Sequence, residues 1–177
     1  MKTKMTAALC GLTLIAGCAT QGIGTMPPIP ENLRPAAAET LSLETKATGV
    51  QIYECSANAK DPARFQWTFK APEADLFDGT GKRIGRHYAG PTWESNDGSR
   101  VVAVVKARSD APDAKAIPWL LLDAKSTAGA GVFSRTSSIQ RVSTVGGIAP
   151  GEVCSQSQAG KTARVDYEAI YYFYAHR

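Results

Sequence analysis

The clearest pattern in the chain is a strict alternation near its C-terminal end, between Arg164 and Ala175. Every second position of this segment is apolar or aromatic: Val165, Tyr167, Ala169, Tyr171, Phe173 and Ala175. Successive side chains of a β-strand point to opposite faces of a sheet, so a period of two predicts a strand with one buried face. A helix would repeat its apolar positions every three or four residues instead.

Shorter segments of the same kind precede this strand. Aromatic and polar residues alternate over 65–70, and Pro72 is predicted to end that strand. The Asn-Asp-Gly sequence at 96–98 indicates a hairpin turn. The run 101–105 is apolar on both faces and is predicted to lie centrally in the fold. Many short strands with turns between them predict an all-β fold, a single-domain β-sandwich or β-barrel of mostly antiparallel strands.

The length and charge of the chain limit its function classes. Its 177 residues are enough for one domain with a core. The formal charge is +4, and removing Lys2 and Lys4, which lie in a segment predicted to be cleaved, leaves 4 − 2 = +2. So weak and scattered a charge does not indicate nucleic-acid binding or a basic membrane-binding patch. We therefore expect no nucleic-acid partner.

The first 18 residues have the pattern of a secretory signal. Two lysines precede the short apolar run 5–16, which is too short to span a bilayer. The sequence Leu-Ile-Ala-Gly-Cys at 14–18 resembles a bacterial lipobox, which implies a triacylated, palmitate-carrying Cys18. The alternative is an ordinary signal peptide with an incidental cysteine. In lipoproteins of this kind, Ala19 instead of aspartate after the cysteine implies export to the outer membrane.

These signals divide the chain into three parts. Residues 1–17 are predicted to be a lipoprotein signal peptide, 18–40 a tether rich in proline and glycine that begins at the lipidated Cys18, and 41–177 the β domain. Prolines stiffen such a tether, which would hold the domain away from the bilayer. The alternative is an N-terminal arm that packs along the domain through Ile29 and Leu33.

The four cysteines have different expected roles. Cys10 leaves with the signal peptide and Cys18 carries lipid. Cys55 and Cys154 remain in an oxidising compartment, where thiols pair, so we predict a disulfide bond between them. Two free buried thiols are the alternative. No Cys/His spacing indicates a zinc site, and we expect no metal and no cofactor.

A central segment, 84–94, carries the most specific motif, Ile-Gly-Arg-His-Tyr-Ala-Gly-Pro-Thr-Trp-Glu. Further motif segments are spread over the chain: 49–55, 97–99, 117–122, 139–142 with Thr144, Gly146 and Gly147, then Cys154 and 171–174. Together they resemble a bacterial and fungal family known only as domain of unknown function 3455. The resemblance implies one domain over about residues 41–177. It implies no activity, because the family has none assigned.

Some relatives in that family carry a dehydrogenase label, which would require a dinucleotide site. Such a site needs a glycine-rich turn between a strand and a helix, because the pyrophosphate binds at the helix N-terminus. The nearest candidate, 129–134, lacks the third glycine and is followed by a β-like segment. The sequence therefore argues against a dehydrogenase.

The candidate functional site lies in and after the central motif: His87, Arg86, Tyr88, Trp93, Glu94 and Asp97. If 84–88 is a strand, Ile84 and Tyr88 favour burial of their face, and His87 is expected to face solvent or a groove near Glu94 and Asp97. An imidazole beside carboxylates suits proton transfer or a divalent metal. The alternative is a histidine that only satisfies backbone carbonyls near a turn.

Two further hypotheses concern hydroxyl-bearing residues. The six tyrosines could form an aromatic surface for amphipathic ligands, or could simply belong to the core and strand edges: Tyr53, Tyr88, Tyr167, Tyr171, Tyr172 and Tyr174. A nucleophilic serine, such as Ser95 or Ser99, is disfavoured because the chain has no Gly-x-Ser-x-Gly sequence and only two histidines.

The sequence as a whole favours a cell-envelope lipoprotein over an enzyme. Its disulfide-braced β domain would be a binding or structural module for an unknown small-molecule or envelope ligand, anchored through Cys18 to the outer membrane, with the domain in the periplasm or at the cell surface. The alternative is a periplasmic enzyme or metal-binding protein with a site around His87. An enzyme requires His87 within hydrogen-bond reach of a carboxylate, whereas a binding module requires an aromatic groove or cavity.

Overall fold

The alternating segments form eight strands in the computed structural model, which describes residues 26–177. They are β1 Glu39–Asn58, β2 Asp61–Phe77, β3 Arg83–Tyr88, β4 Thr92–Ser95, β5 Arg100–Ser109, β6 Trp119–Ala128, β7 Thr136–Gly146 and β8 Thr162–His176. Two short 3₁₀ helices, Glu31–Leu33 and Gln156–Gln158, lie outside the sheet. The predicted signal peptide and Cys18 lie outside the described residues. From residue 26 onward, no helix has the length and apolar character needed to cross a membrane.

The eight strands make one closed antiparallel barrel. Each strand pairs with the next in the chain, and β8 pairs back onto β1. The β1–β8 seam extends from the pair Glu39–His176 to the pair Glu54–Thr162. Every strand is thus paired on both sides, although β2 and β5 extend beyond the parts that pair with the short strands β3 and β4. The predicted all-β antiparallel fold is confirmed, and of the two forms considered the barrel is observed.

The inward faces of the strands form the main core. On β8, Tyr167, Tyr171 and Phe173 point into the barrel and are almost completely buried, as their alternation predicted. On the outward face of β8, Tyr172 and Tyr174 are buried as well. A second apolar cluster therefore covers part of the outer wall.

That outer cluster is formed with the N-terminal arm. Leu33 is fully buried against Trp119, Val142 and Tyr172. The Gln140 side chain donates a hydrogen bond of 2.6 Å from Nε2 to the carbonyl oxygen of Leu33. The described part of the proline-rich segment is thus packed along the domain, as the alternative to a free tether predicted. Residues 18–25 of that segment lie outside the described residues.

One end of the barrel, the closed end, carries the connections β2–β3, β4–β5 and β6–β7. Phe133 fills it and packs against Phe173, with ring centroids 4.7 Å apart. The carboxylate of Asp97 accepts a hydrogen bond of 2.9 Å from the Val132 N–H, and Ser99 Oγ accepts one of 3.1 Å from the Phe133 N–H. The predicted hairpin turn at 96–98 therefore also holds the segment that plugs this end.

The opposite end, the mouth, has an uneven rim. Strands β3 and β4 have only six and four residues, whereas β2 has 17 and β5 has 10. The wall is therefore lowest at the turn 89–91. The β1–β2 hairpin extends beyond its neighbours, and Phe69 near the rim is 51% exposed.

Two strand predictions need correction at this end. Strand β2 continues through Pro72 to Phe77. Pairing of β2 with β3 begins at Ala74, two residues after Pro72. The missing N–H of Pro72 therefore removes no hydrogen bond between β2 and β3. The run 101–105 is not central: Val104 and Val105 are about half exposed, because a closed barrel gives every strand an outer face and β5 rises above the low part of the rim.

The disulfide bond joins Cys55 of β1 to Cys154, in the segment before β8. The predicted pairing is therefore confirmed. Backbone hydrogen bonds between Cys55 and the stretch 160–161 continue the β1–β8 pairing beside it. The disulfide and these bonds brace the long connection that crosses the mouth.

Candidate functional site

His87 lies inside the barrel and is only 3% exposed. Its Nδ1 atom is 2.8 Å from the carbonyl oxygen of Thr92. A carbonyl oxygen can only accept, so Nδ1 carries the proton and Nε2 keeps its lone pair. Burial lowers the pKa of His87 to about 3; the hydrogen bond to Thr92 opposes this shift, and the charge of Arg141 adds to it. The imidazole is therefore neutral at physiological pH.

His87 was expected to face solvent or a groove near Glu94 and Asp97; it is buried and lines an interior cavity instead, away from both carboxylates. Strand β3 has the alternation that was predicted, but its two faces are reversed: His87 points inward, and Ile84 and Tyr88 are only partly buried. The reason is non-local. His87 is paired with Trp93 of β4, and the larger, fully buried Trp93 occupies the core face of the same sheet.

Three of the other candidate residues lie on the outer wall. Arg86 Nη2 is 3.0 Å from Glu94 Oε1, and the Tyr88 hydroxyl donates a 2.6 Å hydrogen bond to Glu94 Oε2. The hydrogen bonds from Tyr88 and Arg86 lower the pKa of Glu94. Because the sheet separates this group from His87, the proposed pairing of His87 with Glu94 does not form.

Asp97 lies at the closed end of the barrel, away from both groups. It accepts hydrogen bonds from the N–H and the hydroxyl of Ser99, at 2.8 and 2.6 Å. The bond from the Ser99 hydroxyl, followed by that from the Val132 N–H, lowers the pKa of Asp97 to about 2. Ser95 and Ser99 both bond to groups of this turn region, and neither is placed beside His87. The six candidate residues thus separate into three places.

Aromatic rings extend from His87 across the barrel interior. His87 stacks on Trp93, and Tyr171 meets the His87 ring edge to face with centroids 5.2 Å apart. These three side chains form the floor of a cavity of about 270 Å³. Its apolar walls come from β2, the low turn, β5 and β6: Phe69, Pro72, Pro91, Val105, Leu120 and Leu122. The cavity opens where the barrel wall is lowest.

A second cavity, of about 430 Å³, adjoins the first at the mouth. Both are lined by Phe69, Val105, Leu120 and Arg141. Within the described chain, no aspartate or glutamate lines either cavity, whereas three cationic side chains do: Lys70, Arg108 and Arg141. The mouth is therefore apolar with a positive charge.

Arg141 is the most enclosed of these cations. Its Nε and Nη2 atoms both donate to the carbonyl oxygen of Pro118, at 3.1 and 2.8 Å. No carboxylate of residues 26–177 forms an ion pair with it, whereas Lys70 pairs with Glu54. The guanidinium is held at the rim by a neutral carbonyl oxygen, so no carboxylate of residues 26–177 balances its positive charge.

Several buried polar atoms near the cavity floor have no hydrogen-bond partner in the described part of the protein: Gln51 Nε2, Trp93 Nε1, and the hydroxyls of Tyr167 and Tyr171. Burial raises the pKa of Tyr167, and the neighbouring Tyr171 raises it further. Burial also raises the pKa of Tyr171, and the charge of Arg141 together with the adjoining Tyr167 and Arg141 side chains partly offsets that shift. Both phenols are therefore protonated donors. Gln51, Tyr167, Tyr171 and Arg141 nonetheless lie next to one another in a polar row. Trp93 Nε1 lies outside that row, and as a buried donor without a partner in the described residues it is available to a bound molecule.

The tyrosines do not form one surface. Tyr53, Tyr167 and Tyr171 point into the barrel, Tyr88 lies on the outer wall, and Tyr172 and Tyr174 belong to the cluster around Leu33. In residues 26–177, no group of three His, Cys, Asp or Glu side chains is arranged to hold a metal ion.

Sequence reasoning overlooked Arg141 and Gln51. Both lie in segments that carried the family resemblance, but neither was considered as a site residue. A usable signal was present on β7, where Arg141 has the same parity as the fully buried Ile139. Arginine is rarely found on the inward face of a barrel strand, so this position was a signal that could have been noticed.

A larger groove of about 550 Å³ lies across β1, β2 and β3, and three of the candidate residues are among those that line it: Arg86, His87 and Tyr88. Its charges are already matched, because Arg164 pairs with Glu73 at 2.8 Å and Arg83 pairs with Asp75 at 2.6 Å. None of the buried polar atoms without a partner lines it. The interior cavity is therefore the stronger candidate site.

Comparison with known families agrees with the resemblance seen in the motifs. The model of the family described as "Protein of unknown function (DUF3455)" matches residues 35–175. The chain belongs to this family. No curated protein and no solved structure matches it. The DUF3455 match covers nearly the whole barrel, so the family corresponds to the fold that encloses the cavity, and its description assigns no activity.

Proposed function

We propose that this DUF3455 protein is a binding module that holds a small, mostly apolar molecule in the cavity above His87, Trp93 and Tyr171. The observation that carries the proposal is the aromatic floor of the cavity, which adjoins buried polar atoms without protein partners. Ligand sites in proteins combine apolar walls with a few oriented polar groups in this way.

The chemistry of the floor suits binding better than proton transfer. A general acid or base works best when its pKa is near the operating pH, and the pKa of His87 is about 3. Its Nε2 can accept a hydrogen bond, while Tyr171 and Trp93 can donate one. Flat aromatic faces beside these groups favour a ligand with a ring or another flat apolar body.

A neutral probe tests the cavity itself. We expect naphthalene-2-carboxamide to bind the full protein in isothermal titration calorimetry. Val105→Trp should abolish this binding, because Val105 lines both cavities at the mouth. Val104→Trp is the matched control. Val104 immediately precedes Val105 on β5 and is similarly exposed, but it faces outward.

The outcome separates cavity binding from adsorption to apolar surface. Loss of binding in the Val105 variant alone supports the proposal, provided that both variants keep the wild-type melting temperature. If both variants bind the amide equally, or if the wild-type protein binds neither the amide nor the corresponding naphthalene carboxylate, the cavity is not the binding site.

We further propose that the module belongs to the cell envelope and is anchored to the outer membrane through lipid on Cys18. The lipobox-like sequence and Ala19 support this proposal. The described arm begins near the mouth, because Asn32 Nδ2 donates a 3.0 Å hydrogen bond to the carbonyl oxygen of Arg108, which lines the second cavity. An anchor upstream of the arm would therefore attach the barrel at its mouth end.

Membrane fractionation tests the anchor. The Cys18→Ser variant is expected to carry no acyl chains and to leave the outer-membrane fraction. If the variant still fractionates with outer membranes and mass spectrometry finds no acyl chains on the native protein, the anchoring proposal is wrong.

A further inference from the structure

We infer that the molecule bound in the barrel is an organic acid whose single carboxylate pairs with Arg141 while its flat apolar body lies over Trp93 and Tyr171. This inference rests on the proposed binding function and specifies the class of ligand. It assigns Arg141 as the residue that recognises the ligand's charge.

The hydrogen-bonding state of Arg141 is the first support. A guanidinium has five N–H donors. Two of them point to the Pro118 carbonyl oxygen, and for the remaining 5 − 2 = 3 the described residues offer no carboxylate and no carbonyl acceptor, only the neutral hydroxyl of the adjoining Tyr171. Two parallel N–H groups on one edge of a guanidinium match the two oxygens of a carboxylate. The bond to Pro118 holds the group in place, so little side-chain freedom would be lost on binding.

The charge around the cavities is the second support. Glu54 neutralises Lys70, and Arg108 is exposed to solvent. Arg141 is thus the one half-buried cation without a counter-ion among the side chains that line these cavities. A half-enclosed charge is poorly hydrated, and an anion that binds it recovers the lost electrostatic stabilisation. One fixed positive charge fits one negative charge, which favours a carboxylate over a phosphate dianion.

The position of Arg141 sets the orientation of the ligand. It lines both cavities, whereas Trp93 and Tyr171 line the inner one. A carboxylate at Arg141 therefore directs an attached ring toward the aromatic floor. Gln51 lines the second cavity and Tyr171 lines the first, and the Tyr171 hydroxyl adjoins Arg141, so both side chains can add hydrogen bonds to an anionic oxygen held there.

A pair of probes that differ in charge but hardly in shape tests the inference. Naphthalene-2-carboxylate and naphthalene-2-carboxamide should be titrated into the full protein by calorimetry at pH 7, in low salt and in a buffer free of carboxylates and phosphate. We expect the carboxylate to bind about tenfold more tightly or better, as a charge-assisted pair provides. The ratio of the two affinities, carboxylate over amide, should fall to about one in Arg141→Gln. In Arg141→Lys it should be intermediate, because an ammonium group cannot form the two parallel hydrogen bonds of a guanidinium.

Arg64→Gln is the matched control, because it also removes one positive charge from the mouth end, at an exposed position of β2 that lines neither cavity, and its ratio should stay close to that of the wild type. The ratio is insensitive to general damage to the cavity, which would weaken both probes together. Equal binding of the two probes by the wild-type protein overturns the inference even if the Arg141 variants do not fold, and so does an unchanged ratio in a folded Arg141→Gln. If neither probe binds the wild-type protein, both the proposed binding function and this inference are wrong. If the amide binds well and the carboxylate does not, the binding function stands and an organic acid is excluded as the ligand.

Discussion

His87 stacks on Trp93 inside the barrel, with ring centroids 4.2 Å apart and ring planes inclined by 13°. The two residues are paired across β3 and β4, so the contact is a cross-strand pair on the inward face. At its edge, the same imidazole donates a hydrogen bond from Nδ1 to the carbonyl oxygen of Thr92. His87 is therefore held on its face and on its edge, and it serves as both scaffold and cavity floor.

The buried state of His87 makes stability depend on pH. Its pKa is about 3 in the folded protein and 6.5 when exposed, so below pH 6.5 the unfolded chain binds a proton that the folded protein does not. Stability should fall as the pH drops from 6.5 toward 3, by at most about 1.4 kcal/mol per pH unit from this group. His87→Phe should remove this part of the slope. At pH 7 it should also lower stability by about 1–3 kcal/mol, because the Thr92 carbonyl loses its partner.

Urea unfolding at pH 7, 6 and 5 provides the measurement. His176→Gln is the control, since His176 is exposed at the end of β8 and its replacement should leave this part of the slope in place. Identical slopes for wild type and His87→Phe would show that His87 is accessible to protons in the folded state.

Asp97 should contribute stability that is lost in acid. Its pKa is about 2 in the folded protein, against an ordinary value of 3.8. The contribution is therefore complete above about pH 4 and disappears as the pH falls toward 2. Asp97→Asn should flatten the dependence of melting temperature on pH in this window. Asp110→Asn removes a carboxylate from an exposed loop and should not; the same flattening in both variants would contradict a specific role for Asp97.

The Cys55–Cys154 disulfide closes a long loop, because its two cysteines are 99 positions apart in the sequence. Loop closure of this length lowers the entropy of the unfolded chain by an amount worth about 4–5 kcal/mol. That is a large part of the stability of a typical domain, about 5–15 kcal/mol. The Cys55→Ala/Cys154→Ala double variant should unfold at much lower urea concentration. Peptide mapping without reduction should find the two cysteines linked, and recovery of both as free thiols would refute the pairing.

Leu33 should fasten the N-terminal arm to the barrel. Replacing a fully buried leucine by alanine destabilises proteins by about 2–5 kcal/mol, and Leu33 is completely buried on the outer wall. Leu33→Ala should therefore lower the free energy of unfolding. It should also increase amide hydrogen exchange in the arm, around the residues that lie against Gln140. Val153→Ala, at a position that is 81% exposed, is the control. If the two variants are equally stable, the arm does not contribute to folding.

Prediction from the sequence worked where the pattern was local. The alternation of β8 identified the buried face, including Tyr167 and Phe173, because side-chain direction along one strand depends only on position. The Asn-Asp-Gly turn was found for a similar reason: Gly98 has a φ of +86°, a conformation that favours glycine. For the short strand β3 the alternation was also right, but the choice of buried face was wrong.

That error has a physical cause. Ile84 and Tyr88 are more apolar than His87, and local hydrophobicity therefore favoured the wrong face. Pairing of His87 with Trp93 decided otherwise, since the two side chains lie on the same face of the sheet and burial of the large Trp93 ring takes His87 inward with it. Such cross-strand pairs join segments whose register is not encoded in either one alone.

The amino-acid sequence by itself determined the all-β class, the pairing of Cys55 with Cys154 and the family, because these follow from local periodicity, cysteine number and motif identity. Only the tertiary structure decided that the sheet closes into a barrel, that β3 and β4 leave its rim low, and that Arg141 shares one cavity with His87, Trp93 and Tyr171. These residues come from strands far apart in the chain. Their convergence depends on the closure of the barrel and on the register of each strand pair, and both are non-local properties that minimise the free energy of the whole sheet.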